Sequence, residues 1–168
     1  MIHVVVDDLA FVPADAVVRP ATSTLEPASS AVRHLEQVGG AAFWKQLRVQ
    51  KELDVGAAVV TAAGELEAEF VIHAVVRSDT EDVSSAGVRR SMRSVLQRAA
   101  DWELARVSTP VLGTGPGNLS LEDAARIMVD VLASELRVAT YPKDVCIVVE
   151  SDEDRAIVEA CLRSRILK

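Results

Sequence analysis

The chain is expected to fold as an α/β protein, a three-layer α/β/α sandwich around a largely parallel sheet. Three observations predict this. Short apolar runs alternate with amphipathic stretches along the chain, the order that strand–helix–strand units produce. Several runs, such as Val145–Val149, are apolar at consecutive positions, as strands covered on both faces must be. Finally, hydrophobic residues make up 49% of the 168 residues while aromatics make up only 4%. The core must therefore be built of Ala, Val, Leu and Ile, which suits a buried sheet under helices.

The elements follow in order. Ile2–Val6 is an apolar run ended by Asp7-Asp8 and reads as a buried strand. A linker, Ala10–Pro13, leads to a second strand at Ala16–Val18. Arg19–Ser30, rich in Pro, Ser, Thr and Ala, reads as a long loop. Ala31, Leu35 and Val38 recur at helical spacing, and Gly39-Gly40 end that helix. Ala42–Leu53 is a second helical stretch. Ala57–Thr61 and Glu69–Val76 are strands separated by a turn around Gly64, and polar Arg77–Ala86 is a loop. Val88, Met92, Val95, Leu96 and Ala99 mark an amphipathic helix. Arg106–Val111 is a strand running into a glycine-rich segment, Gly113–Asn118. Ser120 with Asp123 resembles a capping box before the apolar helix Ala124–Leu136. Asp144–Val149 is the last strand, and Ser151 with Asp154 caps a helix ending near Ser164. No linker, internal repeat or low-complexity tract divides the chain, so a single domain over residues 1–168 is expected.

Composition narrows the function. The formal net charge is −7, whereas nonspecific nucleic-acid binding needs a positive surface to release counterions. A nucleic-acid partner is therefore disfavoured. No apolar run approaches the roughly 18 residues of a membrane span. The opening segment MIHVVVDDLA lacks a basic flank and a cleavage site, so it reads as a strand rather than a signal peptide. Cys146 and Cys161 read as buried, reduced thiols, in keeping with a cytoplasmic chain. His3, His34 and His73 do not cluster with them in sequence, so no metal site is expected.

The segment with most chemical content is Pro110-Val111-Leu112-Gly113-Thr114-Gly115-Pro116-Gly117-Asn118. It follows a buried strand and precedes a helix. Its glycines allow sharp turning and a close approach of backbone N–H groups to an anion, and a helix start adds positive potential. A diphosphate fits such an environment. No Gly-Lys-Ser/Thr follows and the spacing is not that of a dinucleotide fingerprint, so neither familiar phosphate motif applies. Asp8, at a strand end, is placed to accept from an exocyclic amine such as that of adenine. Ser, Thr and Arg in the Arg19–Val32 segment are candidate sugar or phosphate contacts. His73, inside the run Phe70–Val75, reads as a satisfied core histidine. His34 lies on a helix with no evident acid partner. No nucleophile elbow is present.

Together these segments resemble the macro domain family, over Ile2 to about Ile157. Asp8-Leu9 is similar to its Asp-Ile pair after the first strand, and Asp15-Ala16-Val17-Val18 to its Asp-Ala-Ile-Val. Gly56–Thr61 resembles its Gly-x-Ala-x-x-Thr strand, Phe70–Val75 its Tyr-Val-Ile-His-x-Val strand, and Pro110–Gly115 its Pro-x-Ile-x-Thr-Gly loop. The resemblance implies a mixed, mostly parallel sheet of about six strands and an ADP-ribose cleft at the strand carboxyl ends. It implies that Asp8 takes the adenine amine and Leu9 contacts the ring. Gly113, Thr114, Gly115, Pro116, Gly117 and Asn118 would wrap the diphosphate and distal ribose, with Ser29, Ser30, Ala31 and Val32 facing them. Val149 to Ser151 would flank the adenine, and no aromatic there offers a stacking ring. No cofactor or metal is implied.

Departures from the family bear on mechanism. Where it has Asn-Ala-Ala-Asn, this chain has Arg19-Pro20-Ala21-Thr22, and Thr22 is a shorter substitute for the ribose-orienting Asn. Where it has glycines, Val and often a water-activating Asp, this chain has Pro27-Ala28-Ser29-Ser30-Ala31-Val32. Val32 stands at the acid position, and hydrolysis by the familiar route is in doubt. Whether the chain is an enzyme thus stays open among three readings: a binder of ADP-ribose or a related ADP-ribosyl nucleotide with weak or no catalysis; a hydrolase or deacetylase (the Appr-1″-p processing type of chemistry) using Arg19, Thr22, Ser30 or His34; or a degenerate module acting through protein contacts. Its partner would be ADP-ribose or an ADP-ribosylated protein or nucleotide.

Overall fold

The computed structural model describes residues 1–28, 32–46 and 51–166. Among the described residues six strands form one sheet: β1 (Ile2–Val6), β2 (Ala16–Thr22), β3 (Ala58–Ala62), β4 (Phe70–Arg77), β5 (Arg106–Thr109) and β6 (Asp144–Val149). Their spatial order is β1-β6-β5-β2-β4-β3. All neighbouring pairs are parallel except β3–β4. That exception follows from chain length. Only a short turn containing Gly64, at φ 60°, separates the two strands, and a parallel return needs a crossover of roughly a dozen residues or more.

Among the described residues four helices flank the sheet: α1 (Arg33–Gln46), α2 (Ser85–Asp101), α3 (Leu121–Glu135) and α4 (Asp152–Ile166). Helices α2, α3 and α4 lie side by side on one face. There Ala16, Val18, Ile72, Val107, Val145 and Ile147 of the sheet meet Met92, Val95, Met128, Leu132 and Val158 of the helices. On the other face α1 and a 3-10 turn at Leu9–Phe11 cover the β2–β4 half, where Val17, Ala21, Val71 and Val75 pack against Ala10 and Leu35. Alternate residues of β2 and β4 thus enter two different cores, which is why their sequences are apolar at nearly every position. The three-layer α/β/α architecture and the mixed, mostly parallel six-stranded sheet agree with expectation.

Several boundaries differ from the sequence reading, and two differ most. The segment Arg19–Ser30 is not wholly a loop, because β2 continues through Arg19, Pro20, Ala21 and Thr22, paired with β4. A proline inside a central strand is normally excluded by its missing N–H. Here β5 pairs with β2 only at Ala16 and Val17. Beyond that point the Pro20 carbonyl accepts from the Ala28 amide at 3.3 Å, so the ring nitrogen also faces the side that β5 has left. The second helical stretch, Ala42–Leu53, is likewise shorter: α1 bends at Gly40 (φ 77°, ψ −174°), and Lys51, Glu52 and Leu53 are not helical. Leu53 lies in non-helical chain, its amide held by the Ser23 carbonyl at 2.9 Å.

The helix starts follow the serine signals. Ser120 Oγ accepts from the Asp123 amide at 3.1 Å and Ser151 Oγ from the Asp154 amide at 3.1 Å, each satisfying one orphan donor of a first turn. Cys161 is a buried free thiol as expected, whereas Cys146 is only half-buried. Burial raises the pKa of both. Among the described residues no helix is long and apolar enough to cross a membrane, and no cluster of metal-binding side chains occurs.

Candidate functional site

The parallel strands β1, β6, β5 and β2 all point their carboxyl ends to one edge of the sheet. The chain leaves β1 and β2 toward the α1 face, but leaves β6 and β5 toward the face of α4 and α3. Neighbouring strands whose connections part in opposite directions open a crevice at that edge. A cleft of about 440 Å³ lies there, between Asp7–Ala10, Val32, His34 and Leu35 on one side and Pro110, Val111, Thr114, Leu121, Val148–Glu150 and Asp154 on the other. A smaller pocket of about 50 Å³ adjoins it, lined by Pro20, Ala28, Val32, Val76, Val83, Pro110, Val111, Gly113, Thr114 and Asn118.

The glycine-rich segment gives Thr114 to the larger cleft and Gly113, Thr114 and Asn118 to the smaller pocket, while Gly115, Pro116 and Gly117 line neither. Gly113, Gly115 and Gly117 have φ of 84°, 124° and 80°, a region that side chains with Cβ rarely adopt. At Gly113 the requirement is also steric, since a Cβ would lie 2.5 Å from Val88 Cγ2. The turn is closed from within: the Asn118 amide donates to the Gly115 carbonyl at 3.0 Å and the Leu119 amide to the Gly113 carbonyl at 3.1 Å. Gly115, Pro116 and Gly117 stay exposed at its tip.

At the opposite end, Asp8 caps the 3-10 turn, its Oδ1 accepting from the Ala10 amide at 3.0 Å. Its Oδ2 lies 3.0 Å from Nε2 of His34. The expectation that His34 lacks an acid partner is therefore wrong, because packing of α1 over the strand ends brings it to Asp8. Phe11 stands edge-on to the His34 ring, at 6.0 Å between centroids.

Arg19, expected as a polar group available to a ligand, is instead fully buried. Its guanidinium donates to Glu36 Oε1 through Nε at 2.8 Å and also through Nη2, and Nη2 further donates to the Leu25 carbonyl at 2.8 Å. His73 Nδ1 is 3.3 Å from Arg19 Nη1, and His73 Nε2 is 2.8 Å from Thr61 Oγ1. Burial and the adjacent guanidinium push the pKa of His73 down to about 3. His73 is thus the satisfied core histidine that the apolar run suggested. Burial lowers the pKa of Arg19 too, opposed by the Glu36 carboxylate. The network staples α1 to β2 and, through His73 and Thr61, to β4 and β3.

A family model described as "Macro domain" matches residues 18–128. The chain belongs to the macro domain family. A macro domain-containing protein of Streptomyces coelicolor is 34% identical over 141 residues, covering 79% of this chain and 83% of the relative. An uncharacterised protein of Aquifex aeolicus is 33% identical over 160 residues, covering 95% and 94%. Among solved structures, a mutant Oceanobacillus iheyensis macrodomain with ADPR superposes with a TM-score of 0.88 at 22% identity, over 98% of this chain and 93% of that one. A Trypanosoma brucei macrodomain in complex with ADP-ribose gives 0.86 at 18% identity, over 96% and 68%.

Within this macro domain the expected site residues are only partly brought together. Asp8, Leu9, Val32 and Thr114 line the larger cleft, and Gly113 and Asn118 line the smaller pocket with Val32 and Thr114. Thr22 lines neither; its hydroxyl lies 3.3 Å from that of Thr24 and accepts from the Glu26 amide at 3.1 Å. Ser29, Ser30 and Ala31 lie outside the described residues. Of the segment expected beside the base, Val149 and Glu150 line the cleft, while Ser151 caps α4. Sequence reasoning offered His34 only as a candidate catalytic group and missed Ala10, Leu35, Leu121, Val148 and Asp154 as lining residues. Helical phase from a known helix start could have flagged His34 and Leu35, but not which strand end they face.

Proposed function

We propose that this macro domain, a single domain over residues 1–168, binds ADP-ribose or a related ADP-ribosyl nucleotide, with weak or no catalysis of its own. The observation that carries the reading is the open cleft along the strand carboxyl ends, with Asp8 and Leu9 at one end and the Gly113–Asn118 turn at the other. Asp8 takes the exocyclic amine of adenine and Leu9 contacts the ring. The turn wraps the diphosphate and distal ribose, faced by the segment from Ser29 to Val32. Solved macrodomains of the same fold carry ADPR or ADP-ribose, which favours the same ligand class here.

The non-catalytic half of the reading rests on the smaller pocket, where the distal ribose would sit. No carboxylate, imidazole or amine is among its described lining residues, and Val32, at the family's acid position, is buried at 2% exposure. A general base must come within hydrogen-bond reach of the attacking water, and none of the pocket's described lining residues is a carboxylate or imidazole that could serve. Calorimetric titration with ADP-ribose tests binding, and release of ADP-ribose from a modified protein tests turnover. Saturable binding without release is expected. Absence of binding would favour a module that acts through protein contacts, and release at enzymatic rates would overturn the non-catalytic assignment.

A further inference from the structure

The cleft has an unusual charge balance for a site that would take a diphosphate. Its lining includes four carboxylates, Asp7, Asp8, Glu150 and Asp154, and among its described residues His34 is the one side chain able to carry positive charge. The acidic groups come from two elements. Asp7 and Asp8 follow β1, and Glu150 and Asp154 follow β6 at the start of α4. Asp152 and Glu153 sit in the same first turn of α4. They suit the positive end of that helix, but they place still more negative charge beside the crevice.

His34 faces this group from the start of α1. Its Nε2 contacts Asp8 Oδ2 at 3.0 Å, its ring meets the edge of Phe11, and its side chain is 51% exposed. On its own helix, Glu36 is buried and bound to Arg19, and Arg33 is exposed and outside the lining. No arginine or lysine in the described lining offsets the carboxylates. Imidazole is the side chain that changes charge between about pH 5 and 8.

We propose that His34 is a specificity-determining residue of the nucleotide cleft. Protonated, it neutralises Asp8, holds that carboxylate toward the base, and lowers the electrostatic barrier that the acidic rim raises against a diphosphate. This deepens the nucleotide reading and rests on it. The ligand class it favours is a nucleotide bearing a disubstituted diphosphate, whose two charges stay constant between about pH 5 and 8. An uncharged nucleoside gains nothing from that protonation. Both partners are partly exposed, so solvent screening keeps the effect modest, on the order of a twofold to fivefold change in affinity.

The test is calorimetry at about pH 5.5 and about pH 8.5 with ADP-ribose and with adenosine, on the wild-type chain, His34→Gln and His34→Lys, each checked for an unchanged melting profile. The wild type should bind ADP-ribose about twofold to fivefold more tightly at the lower pH, with adenosine affinity nearly flat. His34→Gln should bind ADP-ribose weakly at both pH values, and His34→Lys should restore tight binding at the higher one. If His34→Gln keeps the wild-type profile, or tightens binding by freeing Asp8, the inference is overturned while the nucleotide reading stands. If the wild type binds ADP-ribose at neither pH, the nucleotide reading fails first and this inference with it.

Discussion

Asp8 carries two duties, and both oxygens of its carboxylate are engaged: one closes the 3-10 turn, the other meets His34. Asp8→Ala should therefore weaken ADP-ribose about 10- to 100-fold, the scale of a hydrogen bond to a charged group, while ribose 5-phosphate changes little. Equal losses for both ligands in calorimetry would remove Asp8 from the base end. At the other end, Gly115 has φ 124° and is exposed on the turn. Gly115→Glu would strain the backbone and set a carboxylate against the diphosphate, so ADP-ribose binding should be abolished with the fold retained; unchanged affinity would remove the turn from the site. Gly113→Ala acts differently. Its Cβ would collide with Val88 at a positive φ, and a loss of about 1–3 kcal/mol of stability is expected in urea unfolding.

At the scale of elements, α1 is held to the sheet by ionic as well as apolar contacts. Leu35 enters the core beneath it, but Glu36 and Arg19 form a buried ion pair at the same interface. Removing one partner leaves an uncompensated buried charge, whereas replacing both by apolar residues is far milder. Arg19→Met is expected to cost about 3–5 kcal/mol, and Arg19→Met combined with Glu36→Leu should recover much of that loss. A double variant as unstable as the single would mean that the bonds to Leu25 and His73 dominate instead. The pairing also explains why Arg19 can occupy a strand interior. Its charge is matched by a helix that packs on the same face, so the residue belongs to the scaffold behind the cleft.

For the whole molecule, His73 makes stability depend on pH. Its folded pKa is depressed to about 3, so the unfolded chain binds its proton more readily than the folded one. Stability from this group is fully present above about pH 6.5 and is lost as pH falls from there toward 3, by an amount on the order of a few kcal/mol. Unfolding free energies measured at neutral pH and near pH 4 should differ less in His73→Gln than in the wild type, and equal differences would refute the assignment. Much of this architecture was legible in residue order. Strands such as β6 and helices such as α2 announce themselves because period and burial are local consequences of which face meets a core. The serine caps and the Gly113–Asn118 turn were readable for the same reason, since a cap bonds within its own first turn and a positive φ is a property of one residue. The contacts that turn strand ends into a cleft are not local. That β2 runs on through Pro20 depends on β5 stopping short beside it. The neutralisation of Arg19 depends on Glu36 arriving from a helix, and the meeting of His34 with Asp8 depends on where α1 settles over the sheet. Chain pattern decides which elements form and where each turns. Long-range packing decides which side chains from separate elements come within bonding distance, because those distances are set by how the layers fit.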